Sequence, residues 1–422
     1  MTRTTFRTLT RWSAAMLLAV GATAASAQEM PSTASASLDR GVGLARQGQW
    51  SLALKYFRSA HEEAPDNPAT LLNLGLVYDR MGGHEGTAIA WLKAYLAAAG
   101  GAANAQQVRS RVGELDTQFE VRVQRLVEVA RQVSDELSDP REKGQVTSLV
   151  LRALAEADDI AGAIRVDRLA PAAKPGWGVA HIAAAYARKG NVIAAMNEAQ
   201  RLESPLMQSW ALAEIAVERA KRKDVDGAVQ TAASIKVKRE AAFAFSRIAV
   251  LRARAGDAAG AEAMAARVEP EEAGARAIAL AAVAAAQARA GDRAGATKGL
   301  AEVHELQSRI DGFAERMNVQ AMVATAKAAL APDLTPLAAV QSLPDGAHRD
   351  RALRDISALR GDLARAEVYH WASVAHEIED TTSLGDTQAT IDAAKTRAPG
   401  QTGLAVATVA YEAARALAKL RE

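Results

Sequence analysis

Histidines and carboxylates at helical spacing are the residues here most able to do chemistry. The chain has seven histidines and no cysteine, which excludes thiolate metal sites, disulfides and a cysteine nucleophile. His304-Glu305 and His376-Glu377 each begin the HExxH pattern, in which two histidines hold zinc and the glutamate acts as general base. Ser308 and Asp380 stand where the second histidine is required, so neither pattern is complete. Glu367 and His370 form one ExxH, which sets a carboxylate and an imidazole on one helix face. A di-iron centre needs a second such copy and two further glutamates, and none of the other six histidines has Glu three positions before it. Gly41-Val42-Gly43 lacks the third glycine of a dinucleotide loop, residues 291–298 do not spell a phosphate loop, and no GxSxG elbow occurs. The sequence therefore assigns no catalytic residue, no cofactor-binding residue and no metal ligand, and the expectation is a non-enzyme without cofactors.

Charge narrows the partners. Lys221-Arg222-Lys223 and Lys236 to Arg239 are basic, but Glu218, Asp224, Asp226 and Glu240 lie beside them, as expected where cations complement helix C-termini. Arg3, Arg7 and Arg11, the apolar stretch Ala14 to Val20 and the small residues Ala25-Ser26-Ala27 read as a secretory signal over 1–27, cleaved after Ala27. Loss of those three arginines moves the formal charge from +2 to −1. A nearly neutral mature chain does not suit nucleic acid, whose binding rests on phosphate neutralisation. No later run is long and apolar enough to span a membrane. The expected location is periplasmic or secreted.

The elements that would position any site are helices. Hydrophobic residues make up 49% of the chain but aromatics only 4%, so apolar burial has to be summed over many small alanine contacts, which repetition accomplishes. Residues 28–37, rich in Ser, Ala and Thr, read as a flexible leader. From Leu38, helical periodicity is broken by a turn at Gly48 and resumes at Leu52, Tyr56 and Phe57. Gly41, Leu44, Gly48, Ala53, Phe57, Ala60 and Pro65 occupy the sites of a 34-residue frame, and Leu71, Leu74, Gly75 and Tyr78 begin a second copy. This pair, residues 38–101, resembles the tetratricopeptide repeat. The resemblance implies antiparallel helical hairpins whose first helices line a concave groove, with Leu72, Asn73, Leu76 and Arg80 facing a bound protein or peptide. Leu38 and Val42 stand where the family's carboxylate clamp has Lys and Asn, so recognition of a C-terminal carboxylate is not implied.

Residues 102–140 carry an apolar stripe, among them Val108, Val112, Leu115, Phe119 and Leu126, and read as capping or spacer helices. A second array, 147–422, follows with its own turn idiom: Lys189-Gly190-Asn191, Arg222-Lys223-Asp224, Ala255-Gly256-Asp257, Ala290-Gly291-Asp292 and Arg360-Gly361-Asp362. Glycine ends one helix in a left-handed conformation, and Asp or Asn caps the next. The array is similar to degenerate tetratricopeptide-like units, and a helix near the C-terminus closes it. The sequence thus predicts an all-α fold, an α-solenoid of antiparallel hairpins. The predicted function is an exported scaffold or adaptor for an unidentified protein or peptide; the alternative is a module that binds polysaccharide or peptidoglycan.

Overall fold

The computed structural model of the chain describes residues 30–169, 176–381 and 399–421. These residues form an all-α fold of twenty helices with no strand among them. The expected signal segment, 1–27, lies outside them. No described helix is long and apolar enough to cross a membrane.

Two hairpins open the chain: α1 (Ser32–Arg46) with α2 (Trp50–Glu63), then α3 (Pro68–Met81) with α4 (Glu85–Ala99). The first helix begins at Ser32, which corrects the 28–37 leader: Ala34 is fully buried, and that contact holds the small-residue stretch in a helix. Gly41 and Gly75 sit at equivalent crossings. A Cβ on Gly41 would lie 2.5 Å from the Phe57 ring, and one on Gly75 2.6 Å from Leu92, so only glycine lets these helices approach so closely.

The spacer expected at 102–140 is one helix, α5 (Ala105–Glu136), whose stripe is buried from Val108 to Ala130. Asp139 then caps α6 (Pro140–Glu156), so the second array starts earlier than residue 147. Six further long helices follow: α8 (Trp177–Arg188), α10 (Pro205–Lys221), α12 (Lys238–Arg254), α14 (Ala273–Arg289), α16 (Phe313–Leu330) and α18 (Ala347–Leu359). They alternate with α7 (Ile160–Leu169), α9 (Val192–Gln200), α11 (Val225–Ala233), α13 (Ala258–Ala265), α15 (Arg293–Gln307) and α17 (Pro336–Ala339), and α19 (Leu363–Thr381) completes the last hairpin.

From α6 to α18 each even-numbered helix packs on the next even-numbered one, whereas the odd-numbered helices pack only between them. These helices make one continuous layer, and Arg254 of α12 meets Asp355 of α18 at 2.7 Å across it, so this is the inner layer. Alanine makes that closeness possible: Ala277, Ala279, Ala281, Ala282 and Ala284 of α14 are all almost completely buried. The turns follow the sequence reading. Gly190, Gly256, Gly291 and Gly361 take positive φ, while Asn191, Asp224, Asp257, Asp292 and Asp362 each accept a hydrogen bond from the backbone N–H three residues on. Lys223 and Asp158 adopt φ of 65° where the other turns have glycine.

Contacts are not confined to neighbouring units. Helix α19 packs along α4, and a last helix, α20 (Pro399–Arg421), packs on α5 and α6 and touches α4 and α19. The succession α6 to α19, then α4, α5 and back to α6, is therefore closed. One apolar core joins Leu71, Trp91, Phe119 and Val150 to Val368, Ile378, Ala410 and Leu417. Polar contacts border the joint: Arg365 pairs with Asp66 at 2.7 Å, Arg58 pairs with Glu379, and Lys93 Nζ donates to the Leu420 carbonyl at 2.9 Å.

Candidate binding face

Three consecutive helices of the inner layer carry side chains in matching positions. Trp177, Trp210 and Phe243 recur every 33 residues on α8, α10 and α12, and one helical turn on stand His181, Glu214 and Arg247 at the same interval. Spacing of four keeps the two rows on one face of each helix. Phe243 is 36% exposed, Arg247 is exposed, and Trp210 and Glu214 are partly exposed. The Arg247 guanidinium lies 5.6 Å from the Phe243 ring centre, within cation–π range.

The rows face the closing helices. Arg254, a turn or two beyond Arg247, reaches Asp355 of α18 at 2.7 Å, and the Arg247 charge senses Arg351 of α18 and Glu377 of α19. Glu377 in turn holds Arg351 and Lys419 of α20. The face is thus a mixed field of charges. Burial pushes the Glu214 carboxyl up, and Arg247 only partly offsets that. Burial outweighs the pull of Glu156 and lowers the His181 imidazole.

His181 has little freedom for proton transfer. Arg152 Nε donates to its Nε2 at 3.2 Å, and its Nδ1 lies 2.8 Å from Glu156, so both nitrogens are engaged. Its ring also meets Trp210 at 4.6 Å and Tyr411 of α20 at 5.6 Å. Here the chain's own last helix lies against the inner layer.

The groove expected on the N-terminal pair is corrected by this structure. Leu72, Asn73 and Leu76 are buried, at 5%, 0% and 8% exposure, and only Arg80 is exposed. Leu72 and Leu76 belong to the core that also takes in α5, α19 and α20, so intramolecular closure uses the apolar surface a peptide would have needed. The Asn73 amide donates to the Ala69 carbonyl of its own helix. The basic clusters are engaged too: Lys221 pairs with Glu218, Lys238 with Glu269, and Arg222 donates to the Arg188 carbonyl.

Of the histidines singled out by motif, His304 is exposed, and His370 packs edge-on to Trp371 at 4.9 Å. His376 is buried, and it meets His61, with ring centres 5.6 Å apart. With Asp345 these two make the one group of donors among the described residues able to hold a metal ion, a set the sequence reading did not assemble. The 33-residue recurrence of Trp177, Trp210 and Phe243 was also missed, although it was visible beside the turn spacing. Comparison with protein-family profiles finds no match, and no curated protein matches the chain.

Proposed function

We propose that this chain is an exported, non-catalytic scaffold that holds another protein on the inner layer of a tetratricopeptide-like array. The observation that carries the reading is the pair of rows on α8, α10 and α12, which repeats aromatic side chains and polar or charged ones at a fixed interval, exposed at Phe243 and Arg247 and partly exposed at Trp177, Trp210 and Glu214. Aromatic and arginine side chains are the residue types that anchor protein partners, and the opposite charges of Glu214 and Arg247 would set register. The seating of α20 against α6, with Tyr411 on His181, supports a helix as the element such a face accepts.

A glycan reading is less well supported. Sugar binding would use open aromatic faces, whereas Trp177 meets Trp210 edge-on at 5.6 Å and Trp210 lies over His181. Residues 1–27 direct export in this proposal, and the mature chain begins at Gln28.

A photo-reactive residue placed at Phe243 or Arg247 in the cell envelope should form a discrete protein adduct, and one at Ile193, exposed on the outer helix α9, should not. Arg247→Glu should abolish the adduct at Phe243. Equal labelling at all three positions, or adducts with glycan alone, would contradict the proposal. N-terminal sequencing of the envelope-fraction protein tests the export step.

A further inference from the structure

Where the last hairpin meets the first, the closure encloses a polar cluster that the inner layer's rows do not use. His61, near the end of α2, is 1% exposed, and neither ring nitrogen has a hydrogen-bond partner among the described residues. Buried polar atoms are paired as a rule, because an unpaired one forfeits its hydration with nothing in return. An imidazole orphaned at both nitrogens therefore calls for a ligand.

The neighbours of His61 indicate which ligand. Asp345, in the turn before α18, sits between two imidazoles: its Oδ1 is 3.6 Å from His61 Nδ1, and its Oδ2 is 3.9 Å from His376 Nε2. Both separations are too long for hydrogen bonds. The first falls in the roughly 3.3–3.6 Å that separates adjacent donors around a tetrahedral zinc ion with bonds of about 2.0–2.2 Å, and the second, to the other carboxylate oxygen, lies just beyond it. One donor atom from each of the three residues falls within 4.8 Å of the others, so modest side-chain movement completes the geometry.

The second nitrogen of His376 is already fixed. Its Nδ1 lies 2.8 Å from Asp350 Oδ2, and Asp350 is fully buried. A carboxylate behind a histidine in this way selects the tautomer whose Nε2 lone pair points at a metal. Trp91 presents its ring to both imidazoles, at 4.9 and 5.1 Å, and keeps them in place. Arg349 approaches Asp345 Oδ1 at 3.6 Å, but its Nη2 is committed to the Glu62 carbonyl at 2.6 Å. With Arg349 set against one of the two carboxylates, the cluster still suits an added cation. The Asp345 side chain, 24% exposed, gives the route of entry.

We propose that His61, Asp345 and His376 form a two-histidine, one-carboxylate site for a divalent transition metal that pins the closed ring, with Asp350 as the positioning residue for His376. The nitrogen-rich donor set favours zinc, cobalt or nickel over magnesium or calcium, which prefer all-oxygen shells. Each donor comes from a different part of the closure: α2, the turn before α18, and α19. Bound metal would therefore join the first repeat to the last.

The test uses the untagged full chain, dialysed against a chelator and titrated with Zn2+ and, separately, with Co2+. The expected result is one equivalent of either ion, a visible absorption band of tetrahedral cobalt, and a melting temperature that rises with free metal. Asp345→Asn and His61→Gln should remove binding while keeping the helical circular dichroism. Asp350→Asn should weaken it about 10–100-fold. His370→Gln, outside the cluster, should leave it unchanged. Absence of binding by the folded wild-type chain, or equal affinity in all variants, would overturn the proposal. Should Asp345→Asn fail to fold, the wild-type cobalt spectrum still decides: a band typical of the aqueous ion rejects the site. No partner protein enters these measurements, so they stand apart from the scaffold reading.

Discussion

A Cβ on Gly75 would fall 2.6 Å from Leu92 Cδ2, and the next atoms it met would include the Leu92 backbone nitrogen at 3.2 Å. Gly75→Leu should therefore destabilise the protein by about 1–3 kcal/mol through overpacking, read as a lower midpoint in urea. An unchanged midpoint would mean that the two helices do not cross there. Glu214 offers a test of opposite sign. Burial raises its pKa, and Arg247 offsets only part of that, while Glu218 adds to it and Lys221 and Arg188 lower it. A carboxyl with a raised folded-state pKa costs no stability below the unfolded value. It costs progressively more as pH rises to the folded value, and the full cost persists above. Glu214→Gln should accordingly raise the melting temperature at neutral pH and have little effect near pH 4. A variant less stable at neutral pH would show that Glu214 is favourably paired instead. At this scale the sequence revealed Gly41 and Gly75, because a small residue beside a large one at repeat spacing has a local steric meaning. It did not reveal His61 with His376, which lie more than three hundred positions apart and share no motif.

Between residues and the whole stand the hairpins, whose ends are set by local chemistry. Asp257 accepts from the Gly260 N–H at 2.8 Å and is also held by Arg252 at 2.6 Å. Asp224 repeats the arrangement with Gly227 and Arg219. Asp257→Ala removes both the cap and the ion pair, and should cost about 0.5–2 kcal/mol, measured by chemical denaturation. Asp257→Asn, which keeps the acceptor and loses the charge, should recover most of that; failure to recover it would assign the effect to Arg252. These turns were legible because Gly-Asp specifies a left-handed residue followed by a cap regardless of what surrounds it. Two boundaries were less so. The helix start at Ser32 depends on the burial of Ala34, and the continuity of α5 depends on its stripe packing against α4 and α20. Both are decided by partners elsewhere in the chain.

For the whole molecule, a stack of hairpins was predictable and its closure was not. Periodicity reports which face of a helix is apolar, and a face covered by the next repeat looks the same in sequence as a face covered by the far end of the chain. The N-terminal groove residues show the consequence: Leu72 and Leu76 have the pattern of a binding surface, yet they are buried in the core that unites the N-terminal repeats with α19 and α20. Closure leaves Phe243 and Arg247 of α12 exposed on the inner layer and brings His61 to His376. The absence of cysteine gives a clean background for testing it directly. Asp66 and Arg365, paired across the joint and both partly exposed, can be replaced by cysteine together and treated with a short bismaleimide. The closed ring predicts rapid intramolecular crosslinking that is independent of protein concentration, far faster than for a control pair with cysteines at Asp66 and Arg222. Crosslinking of the Asp66 and Arg365 positions no faster than the control would mean that the ends do not meet.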